Sequence, residues 1–584
     1  MMPRKRPPAS ARMTRPGFFT SVFPPSPALA AFVMLAALAV PSPAAAAPTL
    51  DLPALVRAHL DRGERTVAIP RGVHRLPGTG VQLSGFSDVT IDGAGATLLA
   101  TSFRQNALLL RDCRNVTLRG FTLDYDPLPF TQAAITRRAD DGSWLEFRVH
   151  DGYAALEGEY AVRRAHVFDG ATRLWKKHAP DLYPVFVRMT GPREGRIGLN
   201  LPADRVREIR PGDHLAFNVR RSAAIMLAAG CENICVEDVT IHSASGGAIG
   251  ARFVAGEKNI FRRVTISRGP TPPGATEPRL LSSSADGINY AYSRHGPLIE
   301  QCDFSFMGDD SINLHGFSLP IIKRDGPRVL WTVRPVDGDP LERIVRPGDE
   351  LRLLDADTFA PGDSFIIRSF ERANLSGDWS AKARALFPSF RQQGKLTFYK
   401  ITLDKDSAAT EGVFFDIPST FSSHYVIRDC YFHDHRAHGM RIMASHGLIQ
   451  NNRVERVQGA AIGLAGEYAH WREAGWPRHV RVTGNIIRDT GRVFGFGRDA
   501  SPYIRGAISL FAHLEPSVTP SPGCMRDIVI EGNDIEVENI SGIDINAASD
   551  VVVRNNRIKI STAGTTPSAC PPVGVRHSER VTTE

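Results

Sequence analysis

Short apolar runs recur along this chain in one frame: a small or polar residue, a small residue, an aliphatic one, a variable position, then an apolar one. Asp286-Gly287-Ile288-Asn289-Tyr290 and Asp310-Ser311-Ile312-Asn313-Leu314 match position for position and stand 24 residues apart. The frame returns at Asn106, Ala223, Gly247, His438, Ala460, Gly506 and Ser541, which makes nine rungs spaced 22 to 24 residues apart where nothing intervenes. That spacing holds a few strands of about five residues with turns between them, and a fixed period of this size marks a solenoid. A second ladder sets a turn-forming residue, mostly Asn or Asp, before alternating apolar positions, as in Asp88-Val89-Thr90-Ile91, Asn115-Val116-Thr117-Leu118 and Asp550-Val551-Val552-Val553. Period-two alternation predicts strands, and the Asn, Asp and Gly between them supply turns. The expected fold is all-β, a right-handed parallel β-helix, the hand following the general rule for parallel crossovers.

The ladder is interrupted twice, over residues 131–218 and 318–418. Both interruptions are strand-like and share a hexapeptide, Arg210-Pro211-Gly212-Asp213-His214-Leu215 and Arg346-Pro347-Gly348-Asp349-Glu350-Leu351. Pro followed by Gly at the centre of a turn suits type II geometry. Two related small β-barrel domains are therefore expected, walling a cleft on the solenoid. The solenoid itself is divided into residues 48–130, with a short capping helix near Leu55 to Leu60, residues 219–317, and residues 419–562. A Thr/Pro-rich tail, 563–584, is expected to be loosely ordered.

Composition changes this picture little, with 42% hydrophobic and 23% charged residues in 584. The formal net charge of +8 includes Arg4, Lys5, Arg6, Arg12 and Arg15; without them 65 basic residues face 62 acidic ones, a net of +3. That excludes the footprint of a nucleic-acid binder. The basic start, an apolar run from Ala28 to Val40 and an Ala-rich exit read as a secretory signal peptide over residues 1–47, too short in its apolar run to span a bilayer. A periplasmic or secreted protein with no membrane span is expected. The seven cysteines do not form a disulfide framework; Cys113, Cys231, Cys302 and Cys430 read as buried packing thiols, and Cys524 and Cys570 as the pair best placed to join.

In a stacked solenoid, one frame position in successive rungs forms a column on one face. Only three rungs carry ionisable or amide side chains in both the first and fourth columns: Asp286 with Asn289, Asp310 with Asn313, and His438 with Arg441. Asp309 and His315 adjoin them. Carboxylates this close cannot all ionise freely, so at least one pKa is expected to rise. A carboxylic acid beside a carboxylate is the equipment for glycosidic bond cleavage, one protonating the leaving oxygen and the other activating water or attacking carbon. Glu467, Trp471 and Trp476 follow in a loop beside the cleft, where an aromatic ring can stack on a sugar face, and three histidines in F-H-D-H-R-A-H-G lack the further ligands of a familiar metal site.

The segment A-D-G, then G-D-D-S-I-N-L-H-G one coil later, with D-Y-D-P-L-P-F-T-Q at Asp124 to Gln132 and H-R-A-H-G at His435 to Gly439, resembles the exo-acting α-1,3-galactosidases of glycoside hydrolase family 110. The resemblance covers most of the chain after the leader. It implies an inverting hydrolase that removes terminal α-1,3-linked galactose from glycans, without metal or other cofactor, on a β-helix with inserted barrels. It maps the family's catalytic aspartates onto Asp286, Asp309 and Asp310, with the division into acid and base left open, and adds Asp126 and Gln132 as partners for sugar hydroxyls. Asn289, Asn313, His315, His438, Arg441 and Glu467 complete the expected substrate-binding set. Three alternatives stand beside it. A polygalacturonase-like hydrolase needs a basic R-I-K near the aspartates, and here Arg557-Ile558-Lys559 is far downstream. A Ca²⁺-dependent lyase needs acidic ligands and a basic proton acceptor. A noncatalytic glycan-binding β-helix would tolerate loss of the cleft carboxylates.

Overall fold

The computed structural model describes residues 47–183, 185–201, 203–334, 340–387, 396–469, 471–492, 505–515, 517–561 and 570–584. The expected signal peptide lies outside the described residues apart from its last position. Among the described residues no helix is long and apolar enough to cross a membrane.

Each coil gives one short strand to each of three parallel sheets. One sheet has twelve strands, from Thr66–Ala68 to Glu579–Thr583, and a second has eleven, from Gly72–Leu76 to Arg557–Ser561. The third begins with Val81–Ser84 and Leu108–Arg111 and holds all nine rungs of the repeating frame. The chain is a parallel β-helix. Its third frame position points inward: Ile249, Ile288, Ile312, Met440, Ile462, Ile508 and Ile543 follow one another in register and are fully buried. Each such side chain contributes about 1.5–3 kcal/mol of apolar burial. Ile312→Ala is therefore expected to lower stability by about 2–5 kcal/mol, read as a fall in the urea midpoint.

Turns between strands carry columns of their own. Asn452, Asn485, Asn533 and Asn556 form a ladder in which each Nδ2 donates to the next Oδ1, at 3.0, 2.9 and 2.9 Å. Such a ladder holds every coil in register with its neighbour and satisfies amides that would otherwise be buried alone. At the N-terminal end the helix Leu52–Asp61, capped by Asp51 Oδ1 accepting from Ala54 N, packs Leu52 and Val56 on the first coil. It is longer than the sequence pattern indicated. At the other end Val573–Arg576 and Glu579–Thr583 pair with the preceding coil, so residues expected to form a loose tail extend the ladder instead. Val581 continues the apolar column of Val551. No disulfide joins Cys524 to Cys570; Cys524 is a buried thiol.

The two interruptions differ in pairing. Residues of the first form a six-stranded antiparallel sheet whose end strands are His166–Phe168 and Phe186–Met189. In the second, the strand Ile312–Arg324 runs without a break from the rung of Asn313 into the insert. There it pairs with Val329–Arg334 on one edge and Phe414–Asp416 on the other, and Thr397–Leu403, Pro361–Arg372 and Glu350–Leu354 close the ring between them. The shared hexapeptide makes the same turn in both: Gly212 and Gly348 take φ of 92° and 94°, and Asp213 and Asp349 each accept from the backbone N–H of the Arg that opens the turn. Asp349 then pairs with Arg294 of the solenoid, anchoring the second insert to a coil.

Candidate active site

Asp286, Asp309 and Asp310 come from successive coils, and one oxygen of each carboxylate lies within 4.8 Å of the others. Among the described residues this is the only group of three His, Cys, Asp or Glu side chains close enough to share one ion. The three are held differently. Asp310 Oδ1 accepts from the His438 backbone N–H at 2.8 Å and lies 3.1 Å from His438 Nδ1. Asp309 accepts from two guanidiniums, Arg220 through Oδ2 and Arg436 through Oδ1. Asp286 has no cation within ion-pair distance among the described residues and accepts from Asn289 Nδ2, at 2.9 Å.

These settings separate the three electrostatically. Burial pushes the Asp286 carboxyl well up, and the neighbouring charges of Asp309 and Asp310 add to the shift. Burial acts on Asp309 in the same sense, but Arg220 and Arg436 outweigh it and hold Asp309 below the usual carboxylate range. Of the two, Asp286 is the carboxyl disposed to hold a proton and Asp309 the one held ionised. A cation placed among them would compete with two resident guanidiniums.

Arg436 is itself fixed from the far side. Its Nε and Nη2 donate to Asp181, which the first insert delivers, and Asp181 stays ionised despite its burial because of that guanidinium. The first insert thus reaches the carboxylate cluster through Asp181 and Arg436. The segment leading to Asp286 is clamped as well. Arg279 makes a bidentate pair with Asp124 at 2.8 and 2.9 Å, Gln132 Oε1 accepts from Leu280 N, and Asn218 Nδ2 donates to Ser284 O at 2.8 Å.

Beside the carboxylates runs the fourth frame column, Gly250, Asn289, Asn313, Arg441, Gly463 and Ser509, in direct register. The small residues leave space on both sides of the amides and the guanidinium. Arg441 pairs with Glu467 at 3.0 Å and Glu473 at 3.4 Å, Glu467 also contacts His513, and Glu473 lies 3.7 Å from His315. Several buried polar atoms here have no hydrogen-bond partner among the described residues: Asn289 Oδ1, Asn313 Oδ1, His438 Nε2 and Arg441 Nε. Buried polar atoms are nearly always hydrogen bonded, so this concentration marks a surface shaped for a polar ligand. Trp471, 47% exposed, stands on the loop whose Glu467 joins this network.

Sequence alignment with known proteins points the same way. The alpha-1,3-galactosidase B of Phocaeicola vulgatus is 24% identical over 511 residues, 83% of this chain and 80% of that protein. The alpha-1,3-galactosidase B of Bacteroides thetaiotaomicron is 23% identical over 70% of this chain and 64% of its own, and the alpha-1,3-galactosidase A of Bacteroides fragilis 22% identical over 70% and 65%. The chain is similar to alpha-1,3-galactosidases. No family model matches it. The solved A-module of a mannuronan C-5 epimerase from Azotobacter vinelandii aligns over 89% of this chain and 94% of its own, at 11% identity and a TM-score of 0.35, a likeness too loose to carry an argument.

Of the residues singled out from the sequence, the structure gathers Asp286, Asp309, Asp310, Asn289, Asn313, His438, Arg441, His315 and Glu467 into one linked cluster. Two others take different places. Asp126 is exposed and pairs with Arg75. Gln132 is fully buried, with Nε2 donating to Pro278 O and lying 3.1 Å from His150 Nδ1, and Oε1 accepting from Leu280 N, so its amide supports the segment before Asp286. Trp476 is also a packing residue, 1% exposed with its N–H on Phe359 O. His435 donates to or accepts from Ser311 Oγ at 2.7 Å within the core. Sequence reasoning missed Arg220, Asp181, Glu473 and His513, and quoted Arg436 only as part of a motif. The basic residue next to the histidines of H-R-A-H-G was the one available signal.

Proposed function

We propose that the protein is an exo-acting glycoside hydrolase that removes terminal α-1,3-linked galactose with inversion, working through Asp286, Asp309 and Asp310 and without a metal. The observation that carries this reading is the unequal trio: one carboxyl raised by burial and like charge, one held ionised by two arginines, and a third pinned by His438, beside a column of unpartnered polar atoms. Similarity to alpha-1,3-galactosidases supports the sugar and the linkage. In the reaction the proton resting in the trio goes to the glycosidic oxygen as the C1–O bond breaks. A water held by the ionised carboxylates attacks C1 from the opposite face, and its proton returns to the trio, restoring the starting count. Asn289, Asn313, His315, His438, Arg441 and Glu467 orient the galactose hydroxyls, and the exposed Trp471 ring offers a stacking face. The two inserts act as walls of the cleft, and the protein is exported to the periplasm or beyond.

The nearest carboxylate oxygens, within 4.8 Å, are closer than the roughly 6.5–9.5 Å between carboxyls of a standard inverting pair and nearer the ~5–5.5 Å of retaining enzymes. Inversion is proposed on the resemblance and on the third carboxylate, which lets two hold water while one carries the proton. A panel of α-1,3-, α-1,4- and α-1,6-linked galactosides with polygalacturonate, each with and without Ca²⁺, tests the substrate. Release of galactose from the α-1,3 linkage alone is expected. Cleavage of polygalacturonate would overturn the reading; the R-I-K basic pair that such an enzyme needs is spent on surface ion pairs, Arg557 with Asp534 and Lys559 with Glu536.

A pH dependence follows. The raised carboxyl must be protonated to donate, so the rate should fall as pH rises through that raised value, with the apparent pKa belonging to the trio as a unit. Folding responds in the same direction for Asp286, whose proton binds the folded state more tightly, so its contribution favours the fold at low pH and is lost as pH rises. Asp309 acts oppositely, contributing above the ordinary carboxylate range and losing its contribution as pH falls. Asp286→Asn should remove the basic limb of the rate profile; a profile unchanged in shape would separate Asp286 from proton donation.

A further inference from the structure

A second polar site lies in the turns of the solenoid and shares no residue with the carboxylate cleft. His424, His446 and His479 occupy one register column, immediately before Tyr425, Gly447 and Val480, and all take left-handed φ, 64°, 55° and 55°. Elsewhere the same column holds Asp88, Asn115, Asp527 and Asp550. Left-handed turns accept Asn, Asp and His alike, so backbone geometry does not explain three consecutive imidazoles. Their rings stack, His424 on His446 at 4.8 Å and 9°, and His446 on His479 at 4.7 Å and 24°, with His295 6.0 Å from His424.

The four rings border a cavity of about 470 Å³ that Arg294, Arg352 and Arg478 also line. Among the described residues no carboxylate lines it. Arg294 and Arg352 are neutralised from behind by Asp349 and Asp416. Arg478 has no carboxylate within ion-pair distance among the described residues, and its buried Nε has no partner. Two further acids face the imidazoles at longer range, Glu257 at 3.7 Å from His295 and Asp527 at 3.5 Å from His479. Burial, together with the neighbouring rings, lowers the pKa of His446, and burial does so for His295. Stacked imidazoles aim their nitrogens along parallel edges, not at one point, and no three of them come close enough to share a metal ion. The cavity is a donor-rich, acid-poor space whose positive charge grows as pH falls.

We infer that this cavity is a second binding site, taking a compact oxyanion group, sulfate, phosphate or carboxylate, held by Arg478 and the stacked histidines. The site is independent of the reaction at the aspartates. An anion would neutralise Arg478 and favour protonated imidazole, so its affinity should rise at acid pH. Isothermal titration of the whole protein with inorganic sulfate, inorganic phosphate, acetate and galactose 6-sulfate, at constant ionic strength, tests this at about pH 5.5 and about pH 7.5. Saturable binding at least about tenfold tighter at the lower pH is expected. His446→Asn keeps a residue type that the left-handed turn accepts, and Arg478→Gln removes the charge but keeps a polar side chain; each should weaken binding by about tenfold or more without changing the melting temperature. Tighter binding of the sugar sulfate than of inorganic sulfate assigns the site to a glycan-borne group, and equal binding to the free ion. Absence of saturable binding at both pH values, or unchanged binding by both variants, overturns the inference.

Discussion

Asp310→Asn will cut turnover of an α-1,3-linked galactoside by about 10²- to 10⁴-fold, the range expected when a positioned acid–base group is lost, while leaving the melting temperature close to that of the parent. Asparagine has the shape of aspartate and can still accept from the His438 backbone N–H, the contact that pins this side chain at 2.8 Å. What it lacks is the negative charge that helps to raise Asp286 and that, in the proposed reaction, holds the attacking water. Both the proton of the cluster and its base are therefore affected by a substitution that changes no packing volume. Kinetics on the purified variant beside a thermal melt check this. Near-parental turnover would remove Asp310 from the chemistry and, with it, the reading of the trio.

Arg436→Met should have an effect of similar size with a different signature. Arg436 joins Asp181 of the first insert to Asp309 of the solenoid, and all three are substantially buried. Removing one partner of a buried pair leaves uncompensated charge, at a cost of about 3–5 kcal/mol. Asp309 keeps Arg220 as its hydrogen-bonded guanidinium and loses Arg436, so its lowered pKa rises and its difference from Asp286 narrows. Activity should fall by about 10²-fold and the rate profile should change shape, because the acid and base no longer differ in environment. A purely structural arginine would lower the melting temperature but leave the pH profile of the surviving activity where it was. Asp181→Asn, which weakens the same link from the insert side, should shift the profile in the same direction by a smaller amount.

The solenoid was legible in the sequence because its two signals are periodic. Alternation fixes which side chains share a face, and the repeat fixes which rung each belongs to, so the column Gly250, Asn289, Asn313, Arg441, Gly463 and Ser509 could be written down before any coordinates and is the hydrogen-bonded register of the sheet. Groups that reach the cluster from outside the frame had no such marker. Asp181 sits in an insert with no period, and Arg220 lies just before a rung. Their role depends on which surfaces meet, and single-residue spacing does not encode that. The D-Y-D-P-L-P-F-T-Q segment was conspicuous, with Asp126 and Gln132 expected as sugar partners. Asp126 pairs with Arg75 at the surface, while Gln132 and its neighbour Asp124 face inward onto the backbone at 278–280 and onto Arg279, where they support the segment before Asp286. Trp471 and Trp476, five residues apart, could not be told apart by type, and only packing shows that one is exposed and the other sealed.

The central claim is best tested on the protein incubated with the disaccharide galactose-α-1,3-galactose, following the anomeric proton of the released sugar by NMR from the first minutes. The account predicts free galactose appearing first as the β-anomer, then mutarotating, with its appearance slowed by about 10²- to 10⁴-fold in Asp310→Asn. Galactose appearing first as the α-anomer would contradict inversion and point to a carboxylate nucleophile, and no release would contradict the assignment of this linkage to the three aspartates.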